Sequence, residues 1–213
     1  MVEKKIPGIG RKKDDFSLFY TKYNNVKTAD VALDLKDPIE EHHKQMLDCN
    51  LCFEDSHKKC FGSGNTNPLF MFIGDEPSEY DVQSKIFSDK VGQKIEGLIK
   101  YLSKEVSLYN NVYITNLVLC NNGDTIKCKK RLEREIGIIN PKNIILLGSD
   151  VCITMMGKEL QKLRLDSSLL MINKFYKTFV TYSLKELFYH NGEVKYEVKK
   201  DLDFILKNYE KSS

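Results

Sequence analysis

Six cysteines offer the most distinctive chemistry in this sequence: Cys49, Cys52, Cys60, Cys120, Cys128 and Cys152. Cys49-Asn-Leu-Cys52 is a Cys-x-x-Cys pair, and Cys120 and Cys128 follow well downstream. The opening segment MVEKKIPGIGRKKDD has no apolar stretch of the kind a secretory signal needs, so a cytoplasmic protein is expected. Disulfides are rare in that compartment, and a Cys-x-x-Cys pair there points to metal binding or redox chemistry. Four thiolates from Cys49, Cys52, Cys120 and Cys128 would suit zinc or an iron–sulfur cluster, and spacing does not choose between them. The plainer alternative makes Cys120 and Cys152 small buried hydrophobes. A second group is Gly74-Asp75-Glu76-Pro77-Ser78-Glu79-Tyr80-Asp81, with four carboxylates in seven positions. Such a group can orient a water or stabilise a cation at short range, or can be no more than a solvated loop. Asn116 offers a donor and an acceptor to a planar ligand edge, or serves as a turn residue. Phe87, between polar neighbours, is either core or a stacking platform.

These residues need a frame. Pro68 to Gly74, Val112 to Val118, Asn143 to Gly148 and Tyr176 to Tyr182 are short apolar runs that read as buried strands. Between and after them, Val91 to Val106, Lys129 to Ile139, Asp150 to Met156 and Tyr196 to Tyr209 read as helices, with apolar residues recurring on one face in most of them. Strand and helix in alternation predict a three-layer α/β/α fold around a central, mainly parallel four-stranded sheet. Ligands in such folds bind beyond the carboxyl ends of the strands. Those ends are the Gly74 loop, Asn116, Gly148 and Tyr182-Ser183, so the polar candidates fall where the architecture places a site. Residues 1–40 carry charge runs and little apolar pattern and read as an extension. Residues 41–213 read as the folded domain.

Composition sets outer limits. The chain has 213 residues, 41% hydrophobic and 30% charged, which excludes collagen-like and broadly disordered classes. No apolar run approaches the roughly 18 residues of a membrane span, so no membrane partner is expected. The net charge is +3, which permits nucleic-acid contact without arguing for it. Only four of the 33 basic residues are arginine: Arg11, Arg131, Arg134 and Arg164. The densest basic stretch is Lys127, Lys129, Lys130, Arg131 and Arg134, beside the later cysteines.

From Cys49 onward the ordered series of motifs resembles the family 4 uracil-DNA glycosylases, the iron–sulfur branch of their superfamily. The Cys-x-x-Cys pair is followed by Gly62-Ser-Gly64-Asn-Thr-Asn-Pro68, an apolar strand, and Gly74-Asp75-Glu76-Pro77-Ser78 in the place of a Gly-Glu-Ala-Pro-Gly motif. Phe87-Ser-Asp89-Lys-Val-Gly92 matches a Phe-x-Gly-x-x-Gly stretch. Tyr113-Ile-Thr-Asn116 with Cys120, then Cys128, then Ile139-Asn-Pro141-Lys-Asn-Ile144-Ile-Leu-Leu147-Gly148, complete the series. No single element is specific; their order is.

The resemblance implies an enzyme of base excision repair that hydrolyses the N-glycosidic bond of uracil flipped out of DNA. It implies a [4Fe–4S] cluster on Cys49, Cys52, Cys120 and Cys128, with zinc as the alternative, and leaves Cys60 and Cys152 without counterparts. Phe87 would stack on the base, and Asn116 would donate to O4 and accept from N3–H. Asp75, Glu76 and Asp81 would stabilise the sugar cation or orient water. The expected partner is uracil-containing DNA, met by a monomer. One departure matters. The second motif, Thr-Tyr-His-Pro in the family, reads Thr181-Tyr182-Ser183-Leu184. Ser183 therefore stands where a histidine would stabilise the uracil anion. Loss of such a donor costs on the order of 10²–10³ in rate. The alternative function is a degenerate relative that binds nucleic acid without excising a base.

Overall fold

Five consecutive residues with no exposed side chain, Phe70–Gly74, form the strand at the heart of the fold, β2. Burial on both faces is what an apolar run without alternation demands, and helices must cover each side. The computed structural model describes residues 37–52, 58–78, 81, 89–103, 111–165, 170–172, 175–190 and 192–209. All belong to one compact unit, Asp37–Ser213. Beside β2 lie β3 (Val112–Asn116) and β4 (Asn143–Leu147), and β6 (Tyr176–Thr181) pairs with β4, all parallel. These are the four parallel strands the sequence predicts. Two short antiparallel strands extend them: β1 (Ser63–Gly64) on β3 and β5 (Leu170–Ile172) on β6. The sheet order is β1-β3-β2-β4-β6-β5. At two and three residues, the edge strands are too short to leave a periodic signal. β1 hugs its partner so closely that a Cβ on Gly64 (φ +130°) would run into the Val112 carbonyl oxygen.

The described residues hold seven helices: α1 (Pro38–Met46), α2 (Lys94–Leu102), α3 (Thr125–Ile139), α4 (Ser149–Met156), α5 (Leu160–Leu165), α6 (Leu184–Tyr189) and α7 (Glu193–Asn208). Helix α1 begins inside the stretch read from sequence as an extension, capped by Asp37, whose side chain accepts from the Ile39 N–H. Helix α3 starts four residues earlier than periodicity suggests. Asp124 caps it, accepting from the N–H groups of Ile126 and Lys127. Its far end is closed by Asn140 in the left-handed region (φ 48°). Phe70 and Phe72 of β2, Ile145 and Leu147 of β4 and Phe179 of β6 pack with Ile95, Leu98 and Leu102 of α2 and Val198, Leu202 and Ile205 of α7. Strand alternation turns Met71, in register with Tyr113, to the opposite face. There the Tyr113 hydroxyl donates to Glu135 of α3, which places α3 in the other layer.

Parallel register aligns the strand ends. Gly74 pairs with Asn116 and Leu147 with Thr181, so one rim of the sheet gathers the loops after β2, β3, β4 and β6. No helix among the described residues is long and apolar enough to cross a membrane.

Candidate active site

A cavity of about 200 Å³ opens on that rim. The loop after β2 brings Asp75, Glu76, Ser78 and Asp81 to it, Asp89 arrives ahead of α2, and the first turn of α6 adds Leu184 and Lys185. Asp75 turns back on its own loop, accepting from the Glu76 N–H at 2.9 Å. Burial pushes its carboxyl above the usual aspartate range, against the opposing pull of that hydrogen bond and of the Lys185 charge. Glu76 is held from two sides: Oε2 accepts from the Asn122 N–H at 3.0 Å, and Oε1 accepts from Lys185 Nζ at 3.0 Å. Lys185 Nζ also lies 3.8 Å from Asp75 Oδ2. Asp81 is buried, and its Oδ2 accepts from the Ser78 N–H at 3.0 Å, which closes the loop on itself. The structure thus gathers Asp75, Glu76 and Asp81 in one cavity. Glu79 and Phe87 lie outside the described residues.

Asn116 sits one strand away, in register with Gly74, which lines the cavity. Its side chain is fully buried, and neither Oδ1 nor Nδ2 has a hydrogen-bond partner among the described residues. A buried amide with both functions unmet by protein costs about 1–3 kcal/mol for each unsatisfied group. Its backbone, by contrast, is clamped. Arg131 of α3 donates from one terminal nitrogen to the carbonyls of Asn116 and Leu117, both at 2.7 Å. The strand β3 ends at Asn116, short of Val118 where its apolar run ends: the Asn116 and Leu117 carbonyls go to Arg131, while the Leu117 and Val118 N–H groups still donate to Gly74 and Asp75. The guanidinium also pairs with buried Glu135 one turn along α3. Burial alone would raise the Glu135 carboxyl; Arg131, with the hydrogen bond from Tyr113 and the His43 ring 3.8 Å away, outweighs it and holds the group well below the glutamate range. Arg131 belongs to the densest basic stretch of the sequence, but it is 8% exposed and bound into this network. The visible signal was a charged pair at i and i+4 inside the apolar stripe of Leu132, Ile136 and Ile139.

Ser183 does not line the cavity. It is the N-cap of α6 in a reciprocal arrangement: its hydroxyl accepts from the Glu186 N–H at 3.2 Å and donates to Glu186 Oε2 at 2.9 Å. Gly148, after β4, presses on it; a Cβ at Gly148 (φ +101°) would stand 2.8 Å from the Ser183 Cβ. The hydroxyl proton at this position is therefore committed to a helix cap. Lys185, two residues on, escaped the sequence reading because only the fold carries it to Glu76, 109 positions away.

Cys49, Cys52, Cys120 and Cys128 line a second cavity, together with Lys59, Lys127 and Arg131. All four are free thiols. The Asp124 N–H donates to Cys52 Sγ at 3.3 Å, and Lys127 Nζ ties down the Leu51 carbonyl at 2.8 Å. Among the described residues no three His, Cys, Asp or Glu side chains are drawn together as a single metal ion requires. Cys60 and Cys152 are both buried and outside this group. Burial pushes the Cys152 thiol up to about 12.

The family model of the uracil DNA glycosylase superfamily matches residues 61–207, and the chain belongs to that superfamily. Among curated proteins it is similar to the type-4 uracil-DNA glycosylase of Saccharolobus solfataricus, 38% identical over 99 residues, covering 41% of this chain and 44% of that protein. It is 31% identical over 124 residues to the type-4 enzyme of Sulfurisphaera tokodaii, covering 53% of this chain and 55% of that one. With the Pyrobaculum aerophilum protein of the same name it shares 27% over 139 residues, covering 59% and 69%. The chain thus spans about half the length of the first two relatives.

Proposed function

We propose that this protein removes uracil from DNA by hydrolysing the N-glycosidic bond of a flipped nucleotide. The observation that carries the reading is the Asn116 amide: fully buried, beside a carboxylate-lined cavity, with both its donor and its acceptor unmet by described residues. Uracil presents the matching edge, accepting at O4 and donating at N3–H. Cytosine presents the reverse, so it would leave buried polar groups mismatched and be rejected. Arg131 fixes the backbone of Asn116 and so the position from which the amide reads. Phe87 takes the stacking role in this reading. Asp75 and Glu76 serve the other half of the reaction. As the bond breaks, positive charge grows on the sugar, and a carboxylate at the cavity wall stabilises it or orients the attacking water. Asp81 shapes the loop that presents them. Ser183 acts as a helix cap.

Cys49, Cys52, Cys120 and Cys128 would hold a [4Fe–4S] cluster. The fit rests on the donor set: four free thiols on one cavity, a backbone N–H aimed at one sulfur, and cations at Lys59, Lys127 and Arg131 to offset thiolate charge. The same four thiolates would suit either a four-iron cluster or zinc. When bound, the cluster supplies a covalent tie among the Cys49–Cys52 loop, the turn after β3 and α3, and no hydrolytic chemistry. Zinc is the alternative.

The test is incubation with single- and double-stranded oligonucleotides carrying one uracil, followed by alkali cleavage. Strand scission at the uracil, and none at cytosine, is expected. The engagement of Ser183 with Glu186, where the family motif places histidine, favours a second reading as a nucleic-acid-binding relative without excision. Retention of DNA in a gel-shift assay with no abasic product at enzyme excess would establish that reading instead. Iron and acid-labile sulfide in the protein purified without oxygen are expected; zinc alone would reassign the cysteines.

A further inference from the structure

We propose that Lys185 is the group that stabilises the departing pyrimidine anion. The assignment deepens the reading above and rests on it. Four carboxylates, Asp75, Glu76, Asp81 and Asp89, line the rim cavity. Lys185 is the one cation among the described residues that lines it. A base that leaves as an anion beside four carboxylates meets repulsion, and among the charged groups that line the cavity only this one opposes it. Ser183 cannot take the task, because its hydroxyl proton goes to Glu186. Leu184 has no polar atom in its side chain. Lys185 is therefore the donor that the first turn of α6 brings to the cavity.

Its geometry suits the role. Nζ lies 3.0 Å from Glu76 and 3.8 Å from Asp75, so the ammonium stands beside the groups assigned to the sugar and the water. An ammonium has three hydrogens; the contact with Glu76 uses one and leaves others for a ligand. The side chain is 53% exposed, which leaves the long arm free to follow a base entering the cavity. Desolvation of the stem would lower its proton affinity, but the hydrogen bond to Glu76 and the charge of Asp75 outweigh this and keep it protonated.

The step balances as follows. The bond between C1′ and N1 breaks, and its electron pair leaves with N1 and spreads over the ring oxygens. Lys185 holds that anion by a charge-assisted hydrogen bond without giving up its proton. The water oxygen bonds to C1′, and the water proton passes to a carboxylate of Asp75 or Glu76. The released base takes a proton from solvent.

The test compares Lys185→Met and Lys185→Arg with the parent protein on DNA carrying uracil or 5-fluorouracil. Lys185→Met should lower the single-turnover rate on uracil by about 10²-fold with little change in KM. Lys185→Arg should recover most of it. The defect should shrink several-fold on 5-fluorouracil, whose anion is more stable and needs less help. Equal loss on both bases would show that Lys185 only holds Glu76 in place, and would overturn the proposal. Binding of free 5-fluorouracil as a function of pH separates this outcome from failure of the glycosylase reading. The parent protein should bind more tightly as the ring ionises, and Lys185→Met should not. A parent protein that shows this pH dependence but excises nothing would sink the enzymatic reading and keep the anion site. A parent protein whose binding is flat with pH would overturn the anion site, whatever its activity on DNA.

Discussion

Asn116 and Ser183 show how differently two polar residues at neighbouring strand ends can be used. Asn116 keeps its side chain unspent and lets its backbone be held; Ser183 spends its side chain on the next helix. Removing the Asn116 amide should therefore remove chemistry. Asn116→Ala is expected to lower uracil excision by about 10²–10³-fold, measured under single turnover, with the melting temperature unchanged or raised. Removing the Ser183 hydroxyl should cost stability instead. Ser183→Ala is expected to destabilise the protein by about 1 kcal/mol through the lost cap, read by urea denaturation, with no change in the excision rate. A large rate loss would return Ser183 to the catalytic group. Asp75 gives a pH signature. In the proposed reaction the ionised form is the one that would meet a sugar cation, and burial raises its pKa. The rate should therefore fall on acidification with a midpoint above the ordinary aspartate range, and Asp75→Asn should abolish that limb of the pH–rate profile. Asn116 was legible in the sequence because it is a polar residue set in an apolar run within a recognisable motif. Lys185 was not, because lysine is the commonest exposed residue type here and its partners lie across the fold.

At the scale of elements, the joint between β3 and α3 is the part that periodicity alone could not supply. The four parallel strands were visible as apolar runs, and most long helices as apolar stripes. The end of β3 carries something else: a guanidinium from α3 that holds the Asn116 and Leu117 carbonyls. Glu135 locks that guanidinium, and the Tyr113 hydroxyl locks Glu135 at 2.8 Å. Because the folded carboxyl titrates below its unfolded value of 4.5, its contribution to stability is complete above that pH and is lost as pH falls towards the folded pKa. Urea denaturation between pH 6 and pH 3 should show that loss, and Glu135→Gln should flatten it. Breaking the pair from the other side is harsher. Arg131→Met leaves a buried carboxylate uncompensated, which costs about 3–5 kcal/mol. It should also blunt discrimination against cytosine by loosening the backbone of Asn116. The starts of α1 and α3 are set by capping aspartates, Asp37 and Asp124, which an apolar stripe does not reveal.

At the scale of the whole molecule, the parallel sheet is bounded by two fragments of strand, β1 with two residues and β5 with three. Between them lie runs such as Phe70–Gly74 and Asn143–Leu147, apolar, uncharged and free of proline, the kind of segment that stacks into fibrils when its backbone is bared. The short antiparallel edges act as gatekeepers. They occupy the outer hydrogen-bonding groups of β3 and β6 while offering few of their own to another chain. The guard over β6 depends on three residues, with Met171 opposite Lys177. Met171→Pro should strip it away, and light scattering should then report growing assemblies under conditions in which the parent chain stays dispersed. Colloidal behaviour in this protein would thus be governed less by its modest charge of +3 than by a strand one turn of tape wide.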